Sequence, residues 1–103
     1  MLLLNAFSLN MLASLPACPR FSELTLTEAK EALASGFDSG VGHPDTAAIF
    51  ADTLGMTVTM NRATISLKTG DSAIIGQYRG PRLPEGAHVL PEGSTIQWVK
   101  WEM

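Results

Sequence analysis

The sequence predicts a single α/β domain, with helices packed on a β-sheet, and three observations carry that reading. Residues Gly36 to Gly55, GFDSGVGHPDTAAIFADTLG, read in succession as a short strand, a glycine-rich turn and a helix. Leu2, Leu3 and Leu4 form a continuous apolar run, as in a strand buried on both faces. Later stretches at 63–67, 72–78 and 95–101 have the alternation or the branched apolar content of strands. With 103 residues, 46% hydrophobic and 17% charged, the chain has the make-up of a globular protein and makes one domain over 1–103.

Met1 to Phe7 reads as the first strand, broken at Asn5 and followed by Ser8 and Asn10. Small polar side chains just past a buried strand lie where open α/β sheets bind ligands. Ser8 or Asn10 equally suits the cap of a short helical turn through Met11 and Leu12. Ala13 to Pro19 is a loop punctuated by Pro16 and Pro19, and Arg20 to Leu24 a short strand. Thr25-Leu26-Thr27-Glu28 matches a capping box; it opens a helix with Leu26, Ala29, Ala32 and Leu33 inward, ending at Ser35-Gly36.

In the central segment Pro44 suits the first helical position, which makes His43 the N-cap and puts Asp45 and Thr46 in the first turn. Ala47, Phe50, Ala51 and Leu54 form the apolar stripe, and Gly55 the stop. Free N–H groups and the positive dipole end make such a turn suitable for a phosphate, and a titratable imidazole beside it can move protons. An imidazole at an N-cap can also do no more than accept a backbone hydrogen bond.

Ala63, Ile65 and Leu67 share one face of a predicted strand, Lys68 to Asp71 turns, and Ser72 to Tyr78 follows, so the two strands are expected to pair as a hairpin. Arg79-Gly80-Pro81-Arg82-Leu83-Pro84-Glu85-Gly86 excludes a regular element and has the make-up of a lid or binding loop. Thr95 to Trp101 is the last strand: Ile96, Trp98 and Lys100 share one face, and Gln97, Val99 and Trp101 the other. Its two tryptophans belong either to the core or to a dimer surface.

A net charge of −3 argues against a broad surface for duplex DNA. Three of seven basic residues, Arg62, Arg79 and Arg82, fall close together and point to a small anionic ligand. One cysteine, Cys18, rules out an internal disulfide and suits a cytoplasmic location. His43 and His88 stand apart with no metal-ligand spacing, and no apolar run is long enough for a bilayer, so neither metal nor membrane is expected. Leu15-Pro16-Ala17-Cys18 faintly resembles a lipoprotein processing site. No Lys or Arg precedes it, and Asn5, Ser8 and Asn10 interrupt the apolar start, so a secretion signal is not expected.

Four stretches, in order along the chain, resemble the small viral and prophage ring nucleases that act as anti-CRISPR proteins, a family first described as uncharacterised proteins of archaeal viruses. They are Leu4 to Leu12 (LNAFSLNML), Val41-Gly42-His43 with its helix, Asn61-Arg62, and Arg82-Leu83-Pro84-Glu85-Gly86 after a strand ending in Gln77. The resemblance implies a mixed sheet of about five strands with helices on it, assembled as a homodimer. It further implies metal-independent cleavage of cyclic tetra-adenylate, the messenger of type III CRISPR defence, to linear adenylates with 2′,3′-cyclic phosphate ends, without a cofactor. The catalytic histidine then falls on His43, and the loop residues on Glu85 and Arg82. Asn5, Ser8, Asn10, Gly42, Arg62 and Arg82 become ligand contacts. Pro44 departs from the family, where many members have an acidic or polar residue, and stiffens the helix start. Two other functions fit the same residues: sequestering of the cyclic ligand without cleavage, or a protein-interaction module built on the tryptophan strand.

Overall fold

Leu2–Leu4 form β1, an interior strand of a five-stranded mixed sheet, in the computed structural model, which describes residues 1–103. The other strands are β2 (Arg20–Leu24), β3 (Asp38–Ser39), β4 (Ser72–Arg79) and β5 (Thr95–Glu102), in the spatial order β2-β5-β4-β1-β3. β1 runs parallel to both β3 and β4, with Leu2 opposite Asp38 on one side and Ala73 on the other. β5 is antiparallel to β4 and to β2. The carboxyl ends of β1, β3 and β4 therefore meet at one rim of the sheet.

Two helices, α1 (Leu26–Leu33) and α2 (Pro44–Leu54), pack on one face. Thr25 and Glu28 form the expected capping box, each side chain holding the other's backbone N–H. α2 begins at Pro44 behind an extended His43 and stops at Gly55, whose φ of 69° is the left-handed conformation of a helix stop. Ala47, Phe50 and Leu54 are buried and Ala51 half-buried, as the stripe predicts; Ile49 is buried as well.

Beneath the helices lies a core containing Leu3, Leu33, Val41, Phe50, Ile74 and Trp98. The opposite face holds a second cluster of Leu4, Leu67, Ala73, Ile75 and Trp101, closed by Phe7, Met11, Leu12 and Ile65. Alternation along β5 sends Trp98 to one core and Trp101 to the other, and both are buried. The tryptophan strand thus belongs to the core and offers no tryptophan surface to a partner.

The expected hairpin does not form. Residues 63–67 make no strand; Leu67 only bridges Leu12, exchanging backbone hydrogen bonds with Met11 and Ala13. Both edges of β4 are already taken by β1 and β5, so the alternating segment has no free ladder to join. It serves instead as a lid on the second core, with Leu67 buried and Ile65 packed against it. The predicted turn is present all the same: Lys68 N–H donates to Asp71 Oδ2 at 3.0 Å. The first strand also ends three residues early, at Leu4, because the chain turns away at Asn5 to cross the second face.

Gly76, in the middle of β4, lets the helix layer close on the sheet. A Cβ there would lie 2.6 Å from Phe50 and 2.7 Å from Trp98, whose rings sit 5.1 Å apart, centroid to centroid. Gly76→Ala is expected to cost about 1–3 kcal/mol by overpacking, read as a lower denaturation midpoint at unchanged slope.

Candidate active site

Each of the three parallel strands hands a loop segment to the common rim, the place where open α/β sheets hold ligands. Asn5 follows β1, Gly40 to His43 follow β3 and lead into α2, and Gly80 to Gly86 follow β4. His43 with the first turn of α2, and Tyr78 with the 80–86 loop, line an open cleft of about 1200 Å³ that includes Asp45, Arg82, Glu85 and Gly86. Three residues singled out from sequence, His43, Arg82 and Glu85, thus meet at one surface although some forty positions separate His43 from the others.

The turn before α2 is held by side chains from elsewhere in the chain. Asn5 Oδ1 accepts from Gly42 N–H at 3.4 Å, and Arg62 Nε donates to Gly42 C=O at 2.9 Å. Asn61 adds two anchors, its N–H to Val41 C=O and its Nδ2 to Ser39 C=O, both at 2.8 Å. Gly42 itself meets no steric demand: a Cβ would touch only Arg62 Cγ, at an ordinary 3.7 Å, whereas at Gly40 it would strike Leu4 at 2.6 Å. The packing of the chain explains Gly40; Gly42 is half-buried with both its N–H and its C=O held, and Asn5, Gly42 and Arg62 stand outside the cleft lining.

His43 is exposed and caps α2, its Nδ1 accepting the Asp45 N–H at 3.3 Å. The ring is thereby fixed in orientation, with Nε2 left as the nitrogen able to meet a ligand. Arg82 and Glu85 are exposed and make no hydrogen bond or ion pair within the chain, whose two ion pairs are Lys68–Asp71 and Lys100–Glu102. A guanidinium and a carboxylate with no internal partner are available to an incoming molecule. Arg79 is engaged differently: it donates to Gln97 Oε1 at 2.7 Å, and Gln97 in turn to Glu23 at 2.9 Å.

Ser8 and Asn10 lie apart from the cleft lining, in a 3₁₀ turn (Leu9–Met11) where Ser8 Oγ donates to Asn10 Oδ1. Ser8 precedes the turn as its N-cap without a side-chain cap bond. Sequence reading also missed the framing of the loop: Tyr78 OH donates to Pro81 C=O at 2.7 Å, and Gly86 N–H to Asp45 Oδ2 at 3.3 Å. The acidic residue in the first helical turn was visible; its partner forty-one residues away was not.

The model of the STIV B116-like family matches residues 1–97. Among solved structures the chain is similar to B116 of Sulfolobus turreted icosahedral virus, with a TM-score of 0.84 at 23% identity, over 99% of this chain and 97% of that one. No curated protein matches the chain.

Proposed function

The chain belongs to the STIV B116-like family, and on that premise we propose that it is a metal-independent phosphodiesterase that opens cyclic tetra-adenylate. The observation that carries the reading is the cleft: a capped, exposed imidazole lines it together with an arginine and a glutamate whose side chains nothing else in the chain engages. The ligand itself follows from the resemblance of the four motifs to the ring nucleases.

RNA brings its own nucleophile, the ribose 2′-hydroxyl. It bonds to phosphorus and releases its proton to solvent, the P–O5′ bond breaks, and the leaving oxygen takes a proton from His43, which solvent then restores. The products are a 5′-hydroxyl and a 2′,3′-cyclic phosphate. Arg82 holds the charge that builds on the phosphoryl oxygens, Arg62, whose Nε holds the Gly42 C=O, offers its remaining N–H groups to a neighbouring phosphate, and Glu85 accepts from a ribose hydroxyl. In the protonated imidazole both nitrogens carry hydrogen, so the Asp45 N–H loses its acceptor and becomes free to meet a phosphate oxygen. One protomer offers Arg82 and Arg62 against four phosphates; a two-fold homodimer doubles that set and matches the symmetry of the ring. Such a dimer, acting in the host cytoplasm if virus-borne, would silence type III CRISPR signalling.

A second reading, sequestering without cleavage, draws on the N-cap bond, which is what a purely structural histidine would make. The test incubates the protein with cyclic tetra-adenylate in EDTA and separates ring from linear products. Wild type is expected to open the ring. Arg82→Ala is expected to lose about 10²-fold or more in kcat/KM, as when one charge-stabilising donor is removed. A ring retained by wild type but left intact assigns the protein to sequestering; a requirement for a divalent ion overturns the mechanism.

A further inference from the structure

We infer that Asp45 is a positioning residue that couples the orientation of the neutral His43 imidazole, before it takes up the proton it delivers, to the placement of the 80–86 loop, an inference that rests on His43 acting in the cleft. Two hydrogen bonds of one residue carry it. The Asp45 backbone N–H donates to His43 Nδ1 at 3.3 Å, and its carboxylate Oδ2 accepts the Gly86 N–H at 3.3 Å. Gly86 follows Glu85 directly, so the carboxylate holds the loop one residue from a glutamate that lines the cleft.

Asp45 is a stiff support for both. It sits in the first turn of α2 just after Pro44, whose ring fixes the backbone at the helix start, and a carboxylate there is favoured by the helix dipole. Its side chain is short, with few rotors to freeze. The other end of the loop is pinned by Tyr78 OH on Pro81 C=O at 2.7 Å. Arg82 and Glu85 lie between these two anchors and carry no internal bond. The loop is thus tied at its ends and free where its charges are. A change at either end of Asp45 reaches the other through a single residue, and an energetic link of this kind acts in both directions.

The test has a ligand-free arm and a kinetic arm. In the first, amide exchange at Gly86 is followed in wild type, Asp45→Ala, Asp45→Asn and His43→Ala. Asp45→Ala is expected to speed exchange about tenfold, Asp45→Asn to stay near wild type because its amide oxygen accepts the same N–H, and His43→Ala to speed exchange severalfold through the reciprocal link. In the second arm, Asp45→Ala frees the loop that carries Arg82 and Glu85 and lowers kcat for cyclic tetra-adenylate about tenfold with KM changed by less than about threefold, and Asp45→Asn restores kcat. Unchanged Gly86 exchange in Asp45→Ala or His43→Ala, or no rescue by Asn, overturns the coupling. A wild type that opens no ring overturns the phosphodiesterase reading alone, since the exchange arm needs no ligand.

Discussion

Replacing His43 by alanine is expected to lower ring opening by about 10²–10⁴-fold in kcat while the ring is still bound. Loss of the proton donor leaves the 5′-oxygen to depart as an alkoxide, and that range corresponds to roughly 3–5 kcal/mol of barrier. Alanine also removes the N-cap acceptor of α2, a loss of about 1 kcal/mol in fold stability. The two effects separate with His43→Asn, because asparagine is among the best N-cap residues yet cannot deliver a proton near neutral pH. The expected result is a protein as stable as wild type that binds cyclic tetra-adenylate and leaves it closed, measured by single-turnover product analysis and by thermal denaturation of the same samples. An asparagine variant that opens the ring at the wild-type rate would reduce His43 to a helix cap.

Features with a local signature were legible in the chain. Pro44, His43 and Gly55 mark the start, cap and stop of α2, because each answers a demand of helix ends felt within a few residues. The Thr25–Glu28 box is of the same kind. The alternation from Thr95 to Trp101 correctly divided its residues between two faces. What alternation could not say was which edges were free. The 63–67 segment has the period of a strand and buries its Leu67, but β4 was already paired on both sides. The site followed the same rule. His43, Arg82 and Glu85 were visible as residue types in turns and loops, and the fold brings them to one cleft. The Asp45–Gly86 tether and the holding of Gly42 by Asn5 and Arg62 join residues 20 to 41 positions apart, and such pairs leave no periodic trace in the chain. Ser8 and Asn10, polar residues past a buried strand, were candidates by position; they bond to each other in a turn outside the cleft lining.

Trp101→Ala is expected to destabilise the fold by about 3–5 kcal/mol, enough to unfold a domain of this size well below its normal midpoint. The indole is wholly buried on the face away from the helices, against Leu4, Leu67, Ala73 and Ile75, with the Phe7 ring 6.1 Å away, centroid to centroid. That cluster is covered by residues 7–12, with their 3₁₀ turn, and 63–67, and by neither α-helix, so its ring is what those segments close upon. Removing it opens a cavity between the sheet and those segments. Its Nε1 has no hydrogen-bond partner, so packing alone carries the contribution, and the orphaned N–H already subtracts from it. Trp101→Phe separates these terms: it keeps an aromatic ring, relieves the orphan, and is expected to lose far less than alanine. Denaturant titrations at one fixed protein concentration, followed by the fluorescence of Trp98, measure both variants. Were Trp101 a surface anchor for a partner, the alanine variant would unfold within about 0.5 kcal/mol of wild type, and the two-core arrangement of the sheet would be wrong.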